Sequence, residues 1–322
     1  FQPDWFHIKK RNGTADHSWT DTVRGLTKNI NPNNTDGEDT ATLIASVTSD
    51  GCTLTGGENE VNAASGGYIG HFFKLASSTT ASTGVGSIDS SYRANTDSGI
   101  SVVTWTGTGS AGTIAHGLGK IPDMIIHKDI EQDGYHWDSY FHGGNRSGES
   151  NAINETDVLN FFDHDAAFTD DNEYWNDTAP TSTVFSVGTK NNVNQSGIDQ
   201  MAIVIANTNG SVRAGVYQGN GNAHGPFIFT GFKPRAIWIK RYDAASENTS
   251  WKTSTTMGLG PDNAAQTGSG SNHGNPIQHN LKMDDVNNGG AEVANQDNIE
   301  FFAQGFSLHT TDAKSNGSGN HY

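Results

Sequence analysis

The chain has 322 residues, 33% hydrophobic and only 17% charged, with a formal net charge of −16. Such an acidic surface repels phosphate backbones and anionic bilayers, which argues against nucleic acid or membrane as partners. The single cysteine, Cys52, excludes an intrachain disulfide framework, and no apolar run approaches the roughly 20 residues of a membrane span.

Glycine is abundant, at 39 residues, and Asn, Ser and Thr are frequent. These residues favour turns and loops over helix interiors. In chain order, Phe1-Gln2-Pro3-Asp4-Trp5-Phe6-His7-Ile8-Lys9 comes first. Pro suits strand entry because it cannot donate to a ladder, and the apolar run after it predicts a buried strand. A polar stretch leads to Trp19, predicting a hairpin with an aromatic-anchored second strand. Asp21-Thr22-Val23-Arg24-Gly25 follows. Further strands are predicted at 52–54 and 68–75, with Cys52 read as a small buried hydrophobe.

The series then returns. Lys120-Ile121-Pro122-Asp123-Met124-Ile125-Ile126-His127-Lys128 precedes Trp137, a strand at 185–187 and a closing strand at 201–206. Phe232-Lys233-Pro234-Arg235-Ala236-Ile237-Trp238-Ile239-Lys240 precedes Trp251 and a strand at 306–308. Ahead of these two lie Trp105-Thr106-Gly107-Thr108-Gly109 and Tyr217-Gln218-Gly219-Asn220-Gly221. The spacing of Pro3, Pro122 and Pro234 suits a domain rather than a solenoid turn. The sequence therefore predicts an all-β chain of tandem β-sandwich repeats, jelly-roll in type, over 1–83, 84–209 and 210–322. The first repeat lacks its opening strand and the third its closing strand. Either the natural chain is longer, which is the preferred expectation, or a neighbour lends the strands.

The pattern Pro-Asp, apolar run, Lys, then Trp and Asp21-Thr22-Val23-Arg24-Gly25 resembles repeat domains in tail and fibre proteins of tailed bacteriophages, notably marine ones. So do residues 94–111 running into His116-Gly117-Leu118-Gly119, and residues 180–188. The resemblance covers nearly the whole chain. It implies a concanavalin-like or SPRY-like β-sandwich in a virion appendage with a host-surface role, and it supplies no catalytic residues. The third repeat departs from it, with Arg235 in place of the Asp and a long Gly/Asn-rich loop at 257–288.

Candidate chemistry is sparse. Gly107-Thr108-Gly109-Ser110-Ala111-Gly112 matches a dinucleotide fingerprint, but a strand follows where that motif needs a helix, so the glycines read as a turn. His136 and His142 flank Trp137, and Asp163-His164-Asp165 lies further on; no metal-ligand spacing accompanies them. Acidic clusters at Asp36-Gly37-Glu38-Asp39, Asp170-Asp171-Asn172-Glu173 and Asp284-Asp285 read first as solvated loop charge; oxygen-rich loops can also hold Ca2+, although none has EF-hand spacing. No nucleophile elbow or placed carboxylate pair points to an enzyme. Tyr174-Trp175-Asn176-Asp177, in a polar stretch, is the candidate glycan-binding site, since sugar faces stack on such rings and amides bond the hydroxyls; core packing of Trp175 is the competing reading. The expectation is a structural and adhesive virion component without a cofactor. It would partner its own copies, other virion proteins and host-surface polysaccharide, as a homo-oligomer and preferentially a trimer. The alternative is a secreted or cell-surface carbohydrate-binding protein.

Overall fold

The computed structural model describes residues 1–13, 15–141, 160–161, 163, 168–169, 171–243, 252–255, 281–282, 299–313 and 315–322. Trp251, His142, His164, Asp165, Asp170, Asp284, Asp285 and nearly all of the 257–288 loop lie outside them. The described elements are almost all strands.

The first segment contains β1 (Trp5–Lys10), β2 (Ser18–Asp21), β3 (Gly25–Ile30), β4 (Asp39–Thr40), β5 (Ile44–Thr48), β6 (Gly51–Leu54) and β7 (Tyr68–Phe73). Five of them form an antiparallel sheet in the order β4-β3-β2-β1-β7. The β5–β6 hairpin lies over one face. Side chains alternate across a strand, so Phe6 and Ile8 meet Leu43, Ile44 and Val61 under that hairpin. Trp5, His7 and Lys9 are left for the opposite face, and all three are buried there.

The second segment contains β8 (Thr80–Ser82), β9 (Ser90–Asn95), β10 (Ile100–Thr106), β11 (Gly112–Ala115), β12 (Met124–Asp129), β13 (Asp138–Phe141), β14 (Asn160–Phe161), α1 (Asn172–Trp175), β15 (Val184–Val187), α2 (Asn191–Asn194) and β16 (Asp199–Ile205). A seven-stranded sheet runs β14-β13-β12-β16-β10-β9-β8, and a two-stranded sheet is made by β11 and β15. The third contains β17 (Phe227–Phe229), β18 (Ala236–Ile239), β19 (Lys252–Thr255), β20 (Leu281–Lys282), β21 (Ile299–Phe302) and β22 (Gly305–Leu308), paired as β17-β22-β21 and β18-β19-β20. The architecture is all-β and sandwich-type, as the strand pattern predicted. Each Pro-led strand pairs with the next strand in a hairpin, and β7 and β16 flank β1 and β12 on the other side.

The sequence motifs are structural devices. The Asp after Pro closes the sheet: Asp4 Oδ2 accepts the Leu75 N–H (2.9 Å) just beyond β7, and Asp123 Oδ2 accepts the Asn207 N–H (2.7 Å) just beyond β16. Asp21 accepts the backbone N–H groups of Val23 and Arg24, both at 2.8 Å. Gly25, at φ 112, completes that turn in a region that costs glycine little. Arg24 then bridges Asp21 (2.6 Å) to Glu38 (2.8 Å). The Gly-x-Gly loops are clasped by buried asparagines. Asn194 accepts from the Thr108 N–H and donates to the Ser110 and Gly188 carbonyls. Asn316 does the same with the Asn220 N–H and the Asn222 and Thr310 carbonyls. A Cβ on Gly107 or Gly219 would strike the backbone that follows the clasping asparagine.

The three segments share interior. One core cluster contains Trp5, Trp19 and Ile30 of the first, Trp105, Ile126, Trp137 and Ile203 of the second, and Tyr242 of the third. No helix among the described residues is long and apolar enough to cross a membrane.

Candidate functional site

The richest chemistry lies where the sheets converge. Trp5 stacks on Phe73 (4.2 Å) and meets Trp19 edge-on (5.3 Å). Trp19 meets Trp137 at 5.0 Å and lies parallel to Trp238 at 6.2 Å, so one ring from each segment reaches the junction. Such pairs contribute about 0.5–1.5 kcal/mol each beyond their burial.

A row of histidines runs beside them. β1 places His7 opposite both Trp19 and His71. His7 Nε2 lies 2.9 Å from His17 Nδ1, and His7 Nδ1 lies 3.3 Å from His71 Nδ1. Burial, then the neighbouring His17, His71 and Lys9, hold His7 well below the usual imidazole range. Burial alone brings His71 down to about 4. At neutral pH His7 and His71 are therefore uncharged, and each of these two rings can donate at one nitrogen and accept at the other. His71 Nε2 is left buried without a hydrogen-bond partner among the described residues. Among the described residues, no three His, Cys, Asp or Glu side chains are arranged to hold a metal.

The recurring lysine is the second device. Lys9, Lys128 and Lys240 are all buried. Lys128 Nζ donates to the Thr35 carbonyl (3.1 Å) of the first segment and the Tyr135 carbonyl (2.7 Å) of its own hairpin. Burial lowers its pKa, while Asp163, Asp129 and Asp138 oppose that shift. The same loop is held by Glu38 N–H to Ile130 O (2.7 Å), Gly134 N–H to Thr35 O (2.9 Å) and Trp137 Nε1 to Asn31 O (3.0 Å). Gly37 fits because a Cβ there would stand 3.2–3.3 Å from the backbone of Glu131 and Gln132.

A third feature is buried inside the second segment. His127 and Asp138 face each other across β12 and β13. His127 Nε2 bonds Gln200 Oε1 at 2.8 Å, while its Nδ1 stands 3.7 Å from Asp138 Oδ2. Neither Asp138 oxygen, nor His127 Nδ1, nor Trp175 Nε1 has a well-formed partner in the protein. Burial raises the Asp138 pKa far above the carboxylate range and lowers His127 to about 3. Both groups are thus biased to their neutral forms, as isolated buried charges require.

The glycan-binding residues expected from sequence are placed differently. Asp171 caps α1 through the Glu173 N–H. Tyr174 and Trp175 turn inward, and Trp175 is only 1% exposed, packing near Tyr140 (5.8 Å) and His127 (6.4 Å). Asn176 and Asp177 stay exposed in left-handed conformations. The expected exposed ring is therefore corrected: its faces are used by the core. Of the acidic clusters, Glu38 is held by Arg24 and Lys28, and Asp171 and Glu173 by Lys190. Asp39 instead joins Asp16, Glu58 and Glu60 around a small pocket, where burial and Asp16 raise the Glu60 pKa to about 7. His136 does meet Asp163, at 3.0 Å, and that bond raises its pKa. The spacing of His7, His17 and His71 carried no recognisable motif, because β7 brings His71 in from a distant part of the chain.

A cavity of about 700 Å3 opens between the segments, walled mainly by apolar residues including Val212, Val216, Ile237 and Trp238. Arg213, Lys233 and Arg235 also line it, and none of its described lining residues is acidic.

A family model described as a domain of unknown function (DUF7483) matches residues 1–322. The chain belongs to the DUF7483 family. The match runs through all three segments of the DUF7483 chain, which accords with their common interior. No curated protein and no solved structure matches it.

Proposed function

We propose that this DUF7483 chain is a structural and adhesive component of a virion appendage, a tail fibre or tail protein of a tailed bacteriophage, located outside the cell. The observation that carries this reading is the interlock. Lys128, the 31–38 loop and the three tryptophans bind distant parts of the chain to one another. The buried polar groups are employed in holding β-sheets together, which suits a load-bearing part. The motifs through which the sequence resembles phage tail and fibre repeats, Pro-Asp and Asp21-Thr22-Val23-Arg24-Gly25, are the ones that make these closures. The partners are other copies of the chain, preferentially as a trimer, other virion proteins, and host-surface polysaccharide through weak contacts multiplied by copy number. The alternative of a free carbohydrate-binding protein loses one of its two proposed platforms with the burial of Trp175, the other being the loop at 257–288, nearly all of which lies outside the described residues.

The test is peptide mass spectrometry on gradient-purified particles, with light scattering of the isolated chain. The reading expects DUF7483 peptides at structural copy number in the particles and an oligomer in solution. Peptides confined to the particle-free fraction would refute it.

A further inference from the structure

Five Asn-Gly pairs stand in the sequence, at 12–13, 209–210, 220–221, 288–289 and 316–317. The pair at 288–289 lies outside the described residues. In such a pair the backbone nitrogen of the glycine can attack the asparagine side-chain amide, because glycine puts no Cβ in the way. The structure sorts the other four pairs by whether the two reacting groups are free.

Three of them are held by hydrogen bonds. Asn12 donates to the Ser65 carbonyl (3.0 Å) and accepts the Gly67 N–H (2.8 Å). Asn220 Oδ1 accepts from the Asn222 N–H (2.9 Å) and from Asn316 Nδ2 (3.1 Å), and the Gly221 N–H is bound to the Asn316 carbonyl (3.0 Å). Asn316 is fully buried in its clasp, and the Gly317 N–H donates to the Tyr322 hydroxyl (2.8 Å). Asn209 and Gly210, by contrast, are both exposed. They form the tip of a tight turn. The Ser211 and Val212 N–H groups bond the Thr208 carbonyl (3.2 and 3.3 Å), and the Thr208 N–H bonds the Val212 carbonyl (3.0 Å). Gly210 takes φ 81, as the second central residue of a type II turn does. Among the described residues, neither the Asn209 carboxamide nor the Gly210 N–H has a hydrogen-bond partner.

We propose that Asn209 is a spontaneous modification site, at which the folded chain deamidates through a succinimide. The Gly210 nitrogen gives up its proton and attacks Asn209 Cγ. The new N–C bond closes a five-membered ring, and the side-chain nitrogen leaves as ammonia. Water then opens the ring at either carbonyl, leaving aspartate or isoaspartate at position 209. Water is the sole co-reactant, and the chain is not cleaved. Each event adds one negative charge to a chain of formal charge −16. The flanks of the turn are pinned. Asn207, held by Asp123 (2.7 and 2.8 Å), donates to the Ala214 carbonyl (3.0 Å) and accepts the Ala214 N–H (2.6 Å). The change is therefore confined to residues between 207 and 214, and the rest of the fold keeps its contacts. This stretch leads from β16 into the third segment, so the modification marks the connection between two segments. It goes beyond the virion reading and does not depend on it.

The test incubates the intact 322-residue chain in mildly alkaline buffer made with oxygen-18 water. Digestion and electron-transfer fragmentation then read each position and separate aspartate from isoaspartate. Position 209 should gain one heavy oxygen and show both products. Its rate should exceed those of Asn12, Asn220 and Asn316 at least about tenfold, since each of these must first break its hydrogen bonds. The rate should rise with pH, because the attacking nitrogen must lose its proton. In urea the four positions should convert at comparable rates, since only the folded structure distinguishes them. Asn209→Gln, whose longer side chain disfavours the five-membered ring, should remove the acidic form seen by isoelectric focusing, with circular dichroism checking its fold. Conversion led by Asn12, Asn220 or Asn316 in the folded chain, no conversion at position 209, or the same ranking in urea would overturn the proposal.

Discussion

His71 offers the sharpest energetic test. It is 6% exposed and lies beside His7. Burial lowers its pKa from 6.5 to about 4. The sign follows from proton counting: below pH 6.5 the unfolded chain takes up a proton that folded His71 refuses. The stability present above that pH is therefore lost as the pH falls toward 4, at about 1.4 kcal/mol per unit and on the order of 3 kcal/mol in all. Glu60 and Asp138, whose pKa values are raised, favour the fold as the pH falls and oppose this slope. The whole-protein profile is thus blunted, and the difference between wild type and His71→Gln is the quantity to read. Urea unfolding at several pH values from 7.5 to 4.5 should show the variant gaining on wild type progressively below pH 6.5. A constant difference across that range would refute the placement of a neutral His71 in the interior.

Asp138→Asn should stabilise the protein by about 1–3 kcal/mol at pH 7.5 and by less at pH 4, because the raised pKa makes the carboxylate costly only where it ionises; thermal melts at the two pH values check this. Asn194→Ala and Asn316→Ala should each cost about 2–3 kcal/mol through lost hydrogen bonds, and similar losses in denaturant midpoint would mark one clasp used twice. Trp175→Ala should cost about 3–5 kcal/mol as a core truncation. A variant of unchanged melting temperature that alters only glycan binding would restore that residue as a surface site.

What was legible in the sequence was whatever is local. Pro followed by an apolar run needs only a strand edge and a buried face, so β1, β12 and β18 could be placed. Asp21 and Gly25 make a turn from neighbouring residues. The junction was illegible because its contacts join residues far apart. Nothing near Thr35 announces that its carbonyl receives Lys128, and nothing near His71 announces His7. Trp175 misled for a related reason. Its polar neighbours point to a loop, whereas the short α1 turns two rings inward and leaves the amide and carboxylate outside. The histidine that distinguishes the second segment, His127, sits where Ile8 and Ile239 stand in the other two motifs, and its buried partner Asp138 comes from the facing strand.

Lys128 and the tryptophans Trp19, Trp137 and Trp238 join the three segments into one interior. Hydrogen exchange of the 31–38 loop tests this most directly. The account predicts that the amides of Gly37 and Glu38, bonded to Asp133 and Ile130, exchange as slowly as those of β12, since opening one requires opening the other. Exchange of that loop at the rate of unfolded peptide, while β12 stays protected, would contradict the interlocked core.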